Sequence, residues 1–591
     1  MTDPGTRRLS RLRWWLVGLF VLLVAACAWT GFRALKAKQH LEQARTQLEV
    51  ARSALLDRRL DEASAAITAA AAQTVQARKL THDPVTAALS LIPVAGRSLD
   101  VLRGITAAAD DIAHSVLPQA LTVARGLDPA ALRKPDGQID VPLLVRAAPG
   151  ATAAAASMGG VARSVDRLPT TLIPSVVATA ARQFDAQVRQ LNSALQGLST
   201  ALAIAPDFLG NDRPRRWFVL VQQTSESRGT GGLAGGFAVL SADHGRLHVE
   251  RQGSNADLTA GRIAPVGLPK DYVERYQNDA AFDDWRNINL SPDLPVVSRY
   301  LAQRWKAQTG EQIDGVVAVD AVALADVLEG SGPVEVAPGQ SIPPAGLPDY
   351  LALGQYVAAP GDADQFQRKE QLAGVTKAAL DRLTAGGGDS TALLRGLSKA
   401  VRSGHLHLGT DDPMMGPALV ASGADGGLPR DGRPFTYPVV FNASGSKLDY
   451  FLNRTVRYSG KDCGGGRRRT TVTVALRNDP PPLDKLPQYV TIRVDDVVRT
   501  QTLVDKVGLS VYATRGAKLV SATLDGKPVP YLQPGQEAGL PVWLTYLDLP
   551  PQTTRTLTLT LDEPTATGIP RVLEQPLARP LRSSVAVPRC S

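Results

Sequence analysis

The segment Trp14–Phe32, WWLVGLFVLLVAACAWTGF, carries no charge over nineteen residues. At about 1.5 Å per residue, a helix of that length spans a hydrocarbon core of roughly 30 Å. Trp14, Trp15 and Trp29 stand near its ends, where indole rings prefer a membrane interface. Arg7, Arg8, Arg11 and Arg13 precede it, and Arg33, Lys36 and Lys38 come after it. The pattern predicts a cytoplasmic basic tail at 1–13 and a transmembrane helix at 14–32. The bulk of the chain is then extracytoplasmic, in the cell envelope, on a single-pass cell-membrane anchor. Two rival readings also place the bulk outside. A cleaved signal peptide asks for a shorter apolar run with a small-residue cleavage site. A lipoprotein signal would use Val24-Ala25-Ala26 before a lipidated Cys27, although the chain stays apolar through Phe32.

The chain beyond this segment is too long for one core, since 591 residues imply several domains. From Arg33 to about Leu80 the apolar positions Leu41, Ala44, Leu48, Ala51 and Leu55 keep heptad spacing. Leu60, Ala63, Ile67 and Ala70 repeat it after a phase shift. This reads as a helical hairpin packing on itself, or as a stalk for self-association. Ala/Leu/Val-rich helices punctuated by prolines continue to about 205, so 33–212 is expected to be a helical stalk or bundle. From Arg215 strand and helix signals alternate. WFVLVQQ and FAVLS are apolar runs, Asp243-His244-Gly245 is a hairpin turn, and GVVAVD precedes the helix AVALADVL. Residues 213–440 are therefore expected to form an α/β core. Beyond 440 short runs such as Thr470–Leu476 and Thr556–Leu561 alternate at period two, which predicts an antiparallel β-sandwich at 441–591. The expected fold class is thus a multidomain α+β chain: transmembrane helix, helical bundle or coiled-coil stalk, α/β core and β-sandwich.

The net charge of +9 is spread thinly outside the N-terminal arginines. It suits attraction to anionic lipid or polymer rather than a nucleic-acid footprint. Of the three cysteines, Cys27 lies in the apolar run, and Cys463 and Cys590 lack CxxC spacing, so no zinc site is expected. In an oxidising compartment two lone thiols in one β domain are expected to pair as Cys463–Cys590.

The glycine run Gly229–Gly236, GTGGLAGG, is the most unusual local feature. It fits GxGxxA after a strand, but a strand and not a helix comes next, which excludes a dinucleotide fold. No Lys-Ser/Thr comes after it, which excludes a P-loop. Backbone amides around Thr230, Gly231 and Gly232, with the Arg228 guanidinium, would cradle a phosphate or pyrophosphate. The competing reading is a connection that needs close backbone approach. The polar cluster Gln222, Gln223, Ser225, Glu226 and Ser227 ends the same strand. Asp283-Asp284-Trp285-Arg286 with Asn287 and Asn289 reads as a surface loop before a metal site, and His405 and His407 with Asp411 and Asp412 as an exposed pair before a metal site. No catalytic triad order, HExxH motif, cofactor motif or metal site emerges.

The apolar N-terminus, LIPVAGRSLDVLR, the segment RRWFVLVQQTSESRGTGGLAGGFAVLSADHGRL and QIDGVVAVDAVALADVL together resemble the bacterial domain-of-unknown-function family DUF4012, common in actinobacteria. The resemblance implies architecture and promises no activity. The layout of 215–385 is similar to the LytR-CpsA-Psr family, membrane-anchored enzymes that move glycopolymers from polyprenyl-pyrophosphate lipids to the wall. Ser227-Arg228, Ile313-Asp314 and FQRKEQ, with Arg368 at the basic position, carry that similarity. The family's acidic positions after Arg228 and after Arg251 have no counterpart here. The resulting expectation is an envelope protein binding an anionic ligand, a lipid-linked glycan or wall polymer, through Arg228, Thr230, Gly231, Gly232, Arg251 and Arg368. The alternatives are a glycopolymer phosphotransferase and a non-catalytic scaffold.

Overall fold

The computed structural model describes residues 4–57, 59–92, 95–128, 131–169, 172–259, 261–361, 365–384, 390–461 and 463–588. It is a mixed α/β molecule that divides into two compact units, Met1–Leu132 with Pro142–Ala205, and Arg133–Val141 with Pro206–Ser591.

The first unit is helical: α1 (Pro4–Leu56), α2 (Leu60–Thr81), α3 (Pro84–Leu89), α4 (Ala95–Asp111), α5 (Leu117–Gly126), α6 (Val141–Asp166) and α7 (Ser175–Phe208), the last two crossing its boundary. α1 and α2 form an antiparallel pair. The Arg33 guanidinium donates to the Lys79 and Leu80 carbonyls, and His40 bonds Gln73 at 2.7 Å. The seam is built from small residues at heptad intervals: Thr30, Ala37, Ala44 and Ala51 on α1 and Ala63, Ala70 and Ala77 on α2 are buried. Alanine lets the two backbones approach closely, and the larger Leu41 and Leu48 sit at the flanks, half-buried. α4, α6 and α7 share a second core around Ile112, Met158, Val165 and Leu195.

The expected transmembrane helix at 14–32 is corrected here. Among the described residues no helix is long and apolar enough to cross a membrane. The single-pass anchor, the cell-membrane placement and the fold class that contained the anchor are overturned with it. The side chains of residues 14–24 and Cys27 lie outside the described residues. Where side chains are described, the segment is held by protein. Thr30 is buried, Arg33 stacks over Trp29 and pairs with Asp83, and Lys36 lies over Phe32. The backbone does not stop at an interface but continues helical to Leu56 through charged residues.

The second unit carries β1 (Arg215–Arg228), β2 (Gly231–Asp243), β3 (Arg246–Ser254), α8 (Lys270–Tyr276), α9 (Leu294–Thr309), β4 (Gly315–Asp320) and α10 (Ala321–Val327). Next come β5 (Val334–Ala337), β6 (Gln340–Ile342), α11 (Leu347–Asp349), α12 (Gln355–Ala358), α13 (Gln365–Thr384), α14 (Ser390–Arg402), β7 (Leu406–Gly409) and α15 (Gly416–Ser422). The main sheet has the order β3-β2-β1-β4-β7, with only β1 and β4 parallel. β1 is buried on both faces, as a central strand requires. Phe218 and Leu220 join Phe237, Trp285, Tyr300 and Trp305 in one core, while Gly235 and Gly236 of β2 admit Leu372 of α13 on the other face.

The remaining strands are β8 (Phe435–Asn442), β9 (Leu452–Gly460), β10 (Arg467–Asn478), β11 (Asp505–Ala513), β12 (Lys518–Leu524), β13 (Lys527–Pro528), β14 (Gln533–Glu537), β15 (Leu540–Leu549), β16 (Thr554–Pro564), β17 (Arg571–Val572) and β18 (Arg582–Ala586). They form two sheets, β13-β12-β16-β10-β9-β18 and β14-β15-β11-β8-β17. Val472, Val474 and Leu476 of one and Val507, Leu509 and Val511 of the other point into a common core. The alternation of β10 produces this, every second side chain being buried.

Candidate functional site

The glycine run is the turn of a β-hairpin. Arg228 pairs with Gly231 across Gly229-Thr230, and β1 and β2 run back from there. A Cβ at Gly229 would lie 2.1 Å from the Leu290 carbonyl oxygen, and one at Gly232 2.3 Å from the Gln223 backbone. Only glycine fits at that separation. The polar groups beside it are spent internally. Thr230 Oγ1 donates to Gln222 Oε1 at 2.6 Å, and Asn289 Nδ2 donates to Gln222, Thr230 and the Gly232 carbonyl. Arg228 is 8% exposed and donates to Asn287 Oδ1 at 3.0 Å and to the Ser227 carbonyl at 2.8 Å. Burial lowers the proton affinity of its guanidinium. Gln575 Nε2 donates to both the Arg228 and Val440 carbonyls, and the Ser227 amide donates to Asp449, so the hairpin tip is stitched to the C-terminal sheets.

Arg368 is also buried. It donates to the carbonyls of Ala359 and Gly361 and stacks over Tyr489 at 4.3 Å. Arg251 stands on β3, over the Trp305 ring at 5.4 Å and paired with Glu311 at 3.4 Å. Thus the structure gathers Thr230, Gly231 and Gly232 with Gln222 and Asn289, while Arg228, Arg251 and Arg368 each have protein partners. Cys463 is disulfide-bonded, and Cys590 lies outside the described residues. His405 Nδ1 pairs with Asp320 at 2.5 Å, and His407 is buried with burial holding its imidazole low. Among the described residues no group of three His, Cys, Asp or Glu is placed to hold a metal ion.

The concave site of useful size lies elsewhere, as a cleft of ≈ 460 Å³ between the first turns of α9, the loop after β7, and α15. Local bonds fix its walls. Ser298 Oγ of α9 donates to the Gly409 carbonyl at the end of β7, and the Leu408 amide donates to Ala424. Thr410 Oγ1 donates to the Asp314 carbonyl at 2.7 Å, anchoring the loop to the start of β4. Asp412 takes the Met414 and Met415 amides on one oxygen and Arg215 at 2.6 Å on the other. Its charge is therefore structural. Leu419, Val420, Pro295, Pro413 and Pro417 supply apolar wall.

Four ionisable groups remain in the cleft and on its inner side. Arg299, 35% exposed, lies 3.7 Å from Asp411, and its Nε has no hydrogen-bond partner among the described residues. Arg430, 45% exposed, lies 3.6 Å from Asp293 on the cleft's inner side. Both contacts are longer than a hydrogen bond. Burial raises the Asp411 carboxyl above the usual range. Burial, aided by the nearby Glu537 charge, pushes Asp293 up to about 7. A further acid, Asp425, lines the cleft and is 7% exposed. Sequence reasoning noticed Asp411 and Asp412 beside the histidines but missed Arg299, Asp425 and Arg430. Asp425-Gly426-Gly427 reads as a turn, and nothing local says that it faces a helix from 130 residues earlier.

Residues 212–356 match the family described as Protein of unknown function (DUF4012). The chain belongs to the DUF4012 family. The matched DUF4012 segment runs from β1 through β6 into α12 and includes the hairpin turn, Arg251, Asp293 and Arg299. Arg368, Asp411, Asp425 and Arg430 lie beyond it. The match is to DUF4012 alone, so the likeness to the LytR-CpsA-Psr family is not shown. No curated protein matches this DUF4012 chain.

Proposed function

We propose that the chain is a binding protein that takes a small anionic ligand in the cleft between α9, the loop after β7, and α15. The observation that carries this reading is the pair Arg299 and Arg430. Both face the cleft, and both stand beyond hydrogen-bond length from carboxyls that burial holds up. Near neutral pH those carboxyls are only partly ionised, so the guanidiniums keep positive charge for a ligand. A guanidinium offers paired donors that match a carboxylate or phosphate. The wall supplies no nucleophile paired to a base. Thr410, its one hydroxyl, already donates to Asp314.

Titration of the purified chain with inorganic phosphate and with acetate, followed by NMR, tests this reading. Saturable binding that weakens with added salt is expected. Arg430→Ala should weaken it roughly ten- to a hundredfold, since a charge-assisted hydrogen bond contributes about 1.5–3 kcal/mol. Affinity should rise as pH falls from 8 to 6, because protonation of Asp293 releases Arg430. Saturation by neither anion, or affinity unchanged in both Arg299→Ala and Arg430→Ala, would remove the proposal.

A further inference from the structure

Asp425 is the one acid of the cleft that the anion reading leaves unused. Its carboxylate makes no hydrogen bond and no ion pair with any described residue, although the residue is 7% exposed. The His407 imidazole nearby is held low by its own burial and supplies no matching charge at neutral pH. The other acids of the cleft and its inner side are accounted for. Asp411 faces Arg299, Asp412 binds Arg215 and two amides, and Asp293 accepts the Leu428 amide and faces Arg430. A carboxylate removed from water without a partner is costly, so its solvation has to come from the cleft. Its position is also constrained. A Cβ at Gly427 would stand 2.6 Å from Asp425 Oδ2 and 3.1 Å from Asp293 Oδ1, so both carboxyls lie against the same glycine. The cleft therefore presents an unmatched anion as well as two under-matched cations within one ≈ 460 Å³ volume.

We infer that the ligand is a zwitterion, with an ammonium group that pairs with Asp425 and a carboxylate or phosphate that pairs with Arg299 or Arg430. This rests on the anion-binding reading and deepens it. A simple anion would leave Asp425 unsolvated and would meet its repulsion. A simple cation would leave the guanidiniums unmatched. A ligand carrying both charges satisfies both ends, and the apolar wall of Leu419, Val420 and the prolines accommodates the carbon chain between them.

The test uses the full chain and four probes: acetate, methylammonium, glycine and 4-aminobutyrate, the last two covering a short and a long charge separation. Saturation-transfer NMR reads binding in the millimolar range. At least one zwitterion should bind ten times more tightly than acetate or methylammonium. Asp425→Asn should abolish that gain and leave acetate binding equal or stronger. The variant should fold, because it removes an unpaired charge, and Asp425→Ser serves as a second test. If acetate binds as well as both zwitterions, the zwitterion proposal falls and the anion reading stands. If none of the four binds, both fall. If a zwitterion binds tightly and Asp425→Asn does not change it, Asp425 is not the ammonium partner and the inference is overturned.

Discussion

Arg228 shows how a residue that looks like a ligand contact becomes a bracing strut. Its neighbours in sequence, Ser227, Gly229 and Thr230, are those expected at an anion site. In the fold its fork spans Asn287 Oδ1 and the Ser227 carbonyl inside a closed hairpin turn. Arg228→Ala should lower stability by about 1.5–3 kcal/mol, the contribution of hydrogen bonds to a charged group. Arg228→Lys should recover little, because the planar fork is lost. Denaturant unfolding of both variants is the check, and wild-type stability in Arg228→Ala would contradict the strut. The glycine run was legible as a close backbone approach or as an anion cradle. The Leu290 carbonyl, sixty-one residues after Gly229 in the chain, favours the close approach.

Between elements, the alanine seam of α1 and α2 carries the sharpest expectation. Ala44 is 2% exposed at a position that recurs every seven residues. Ala44→Leu forces the two helices apart and should destabilise the helical unit by about 1–3 kcal/mol, read as a lower thermal midpoint. Heptad spacing was visible in the sequence, and a partner within the same chain was one of the two readings it left open. The C-terminal strand gives another test. β18 pairs with β9 up to Ala586 opposite Ser459, Arg468 donates to the Pro588 carbonyl, and Cys463 is disulfide-bonded. Two residues past Pro588 the sequence places Cys590, so we propose it as the partner. Thiol labelling of unreduced protein should find neither Cys463 nor Cys590 free, and reduction should cost about 2–5 kcal/mol. A labelled Cys590 in the unreduced chain excludes that pairing.

For the molecule as a whole, the buried carboxyls set the response to pH. Burial raises Asp293 to about 7, and raises Asp449, Asp505, Glu537 and Glu563 as well. Asp449 and Asp505 face one another, so ionising one opposes ionising the other. A carboxyl whose folded value lies above its unfolded one binds its proton more tightly in the folded state. Its contribution is complete below the unfolded value and is lost as pH rises through the folded one. For Asp293 the window runs from about 4 to about 7, at about 1.4 kcal/mol per pH unit. The thermal midpoint should therefore fall between pH 5 and 8, and Asp293→Asn should flatten that slope. A midpoint that rises steadily to pH 8 would contradict these buried, raised acids.

The sequence by itself determined periodicity and its breaks: helices up to α7, strands from Arg215, and the alternation that pairs β10 with β16. These depend on residues a few positions apart, and local pattern reports them. It also suggested a membrane span from uncharged length alone. That criterion does not register what packs on the segment, and Arg33, bonded to Lys79, Leu80 and Asp83, acts from the far end of the next helix. Only the tertiary structure decided where charge is left unmatched. Whether an arginine is a ligand contact or a strut depends on which carbonyls and carboxylates other elements bring to it. Arg228 meets Asn287 and is spent, whereas Arg299 and Arg430 meet carboxyls too distant and too deeply buried to match them. Among the described residues Asp425 meets no hydrogen-bonding or ion-pair partner, and that is a property of the whole cleft rather than of any stretch of chain.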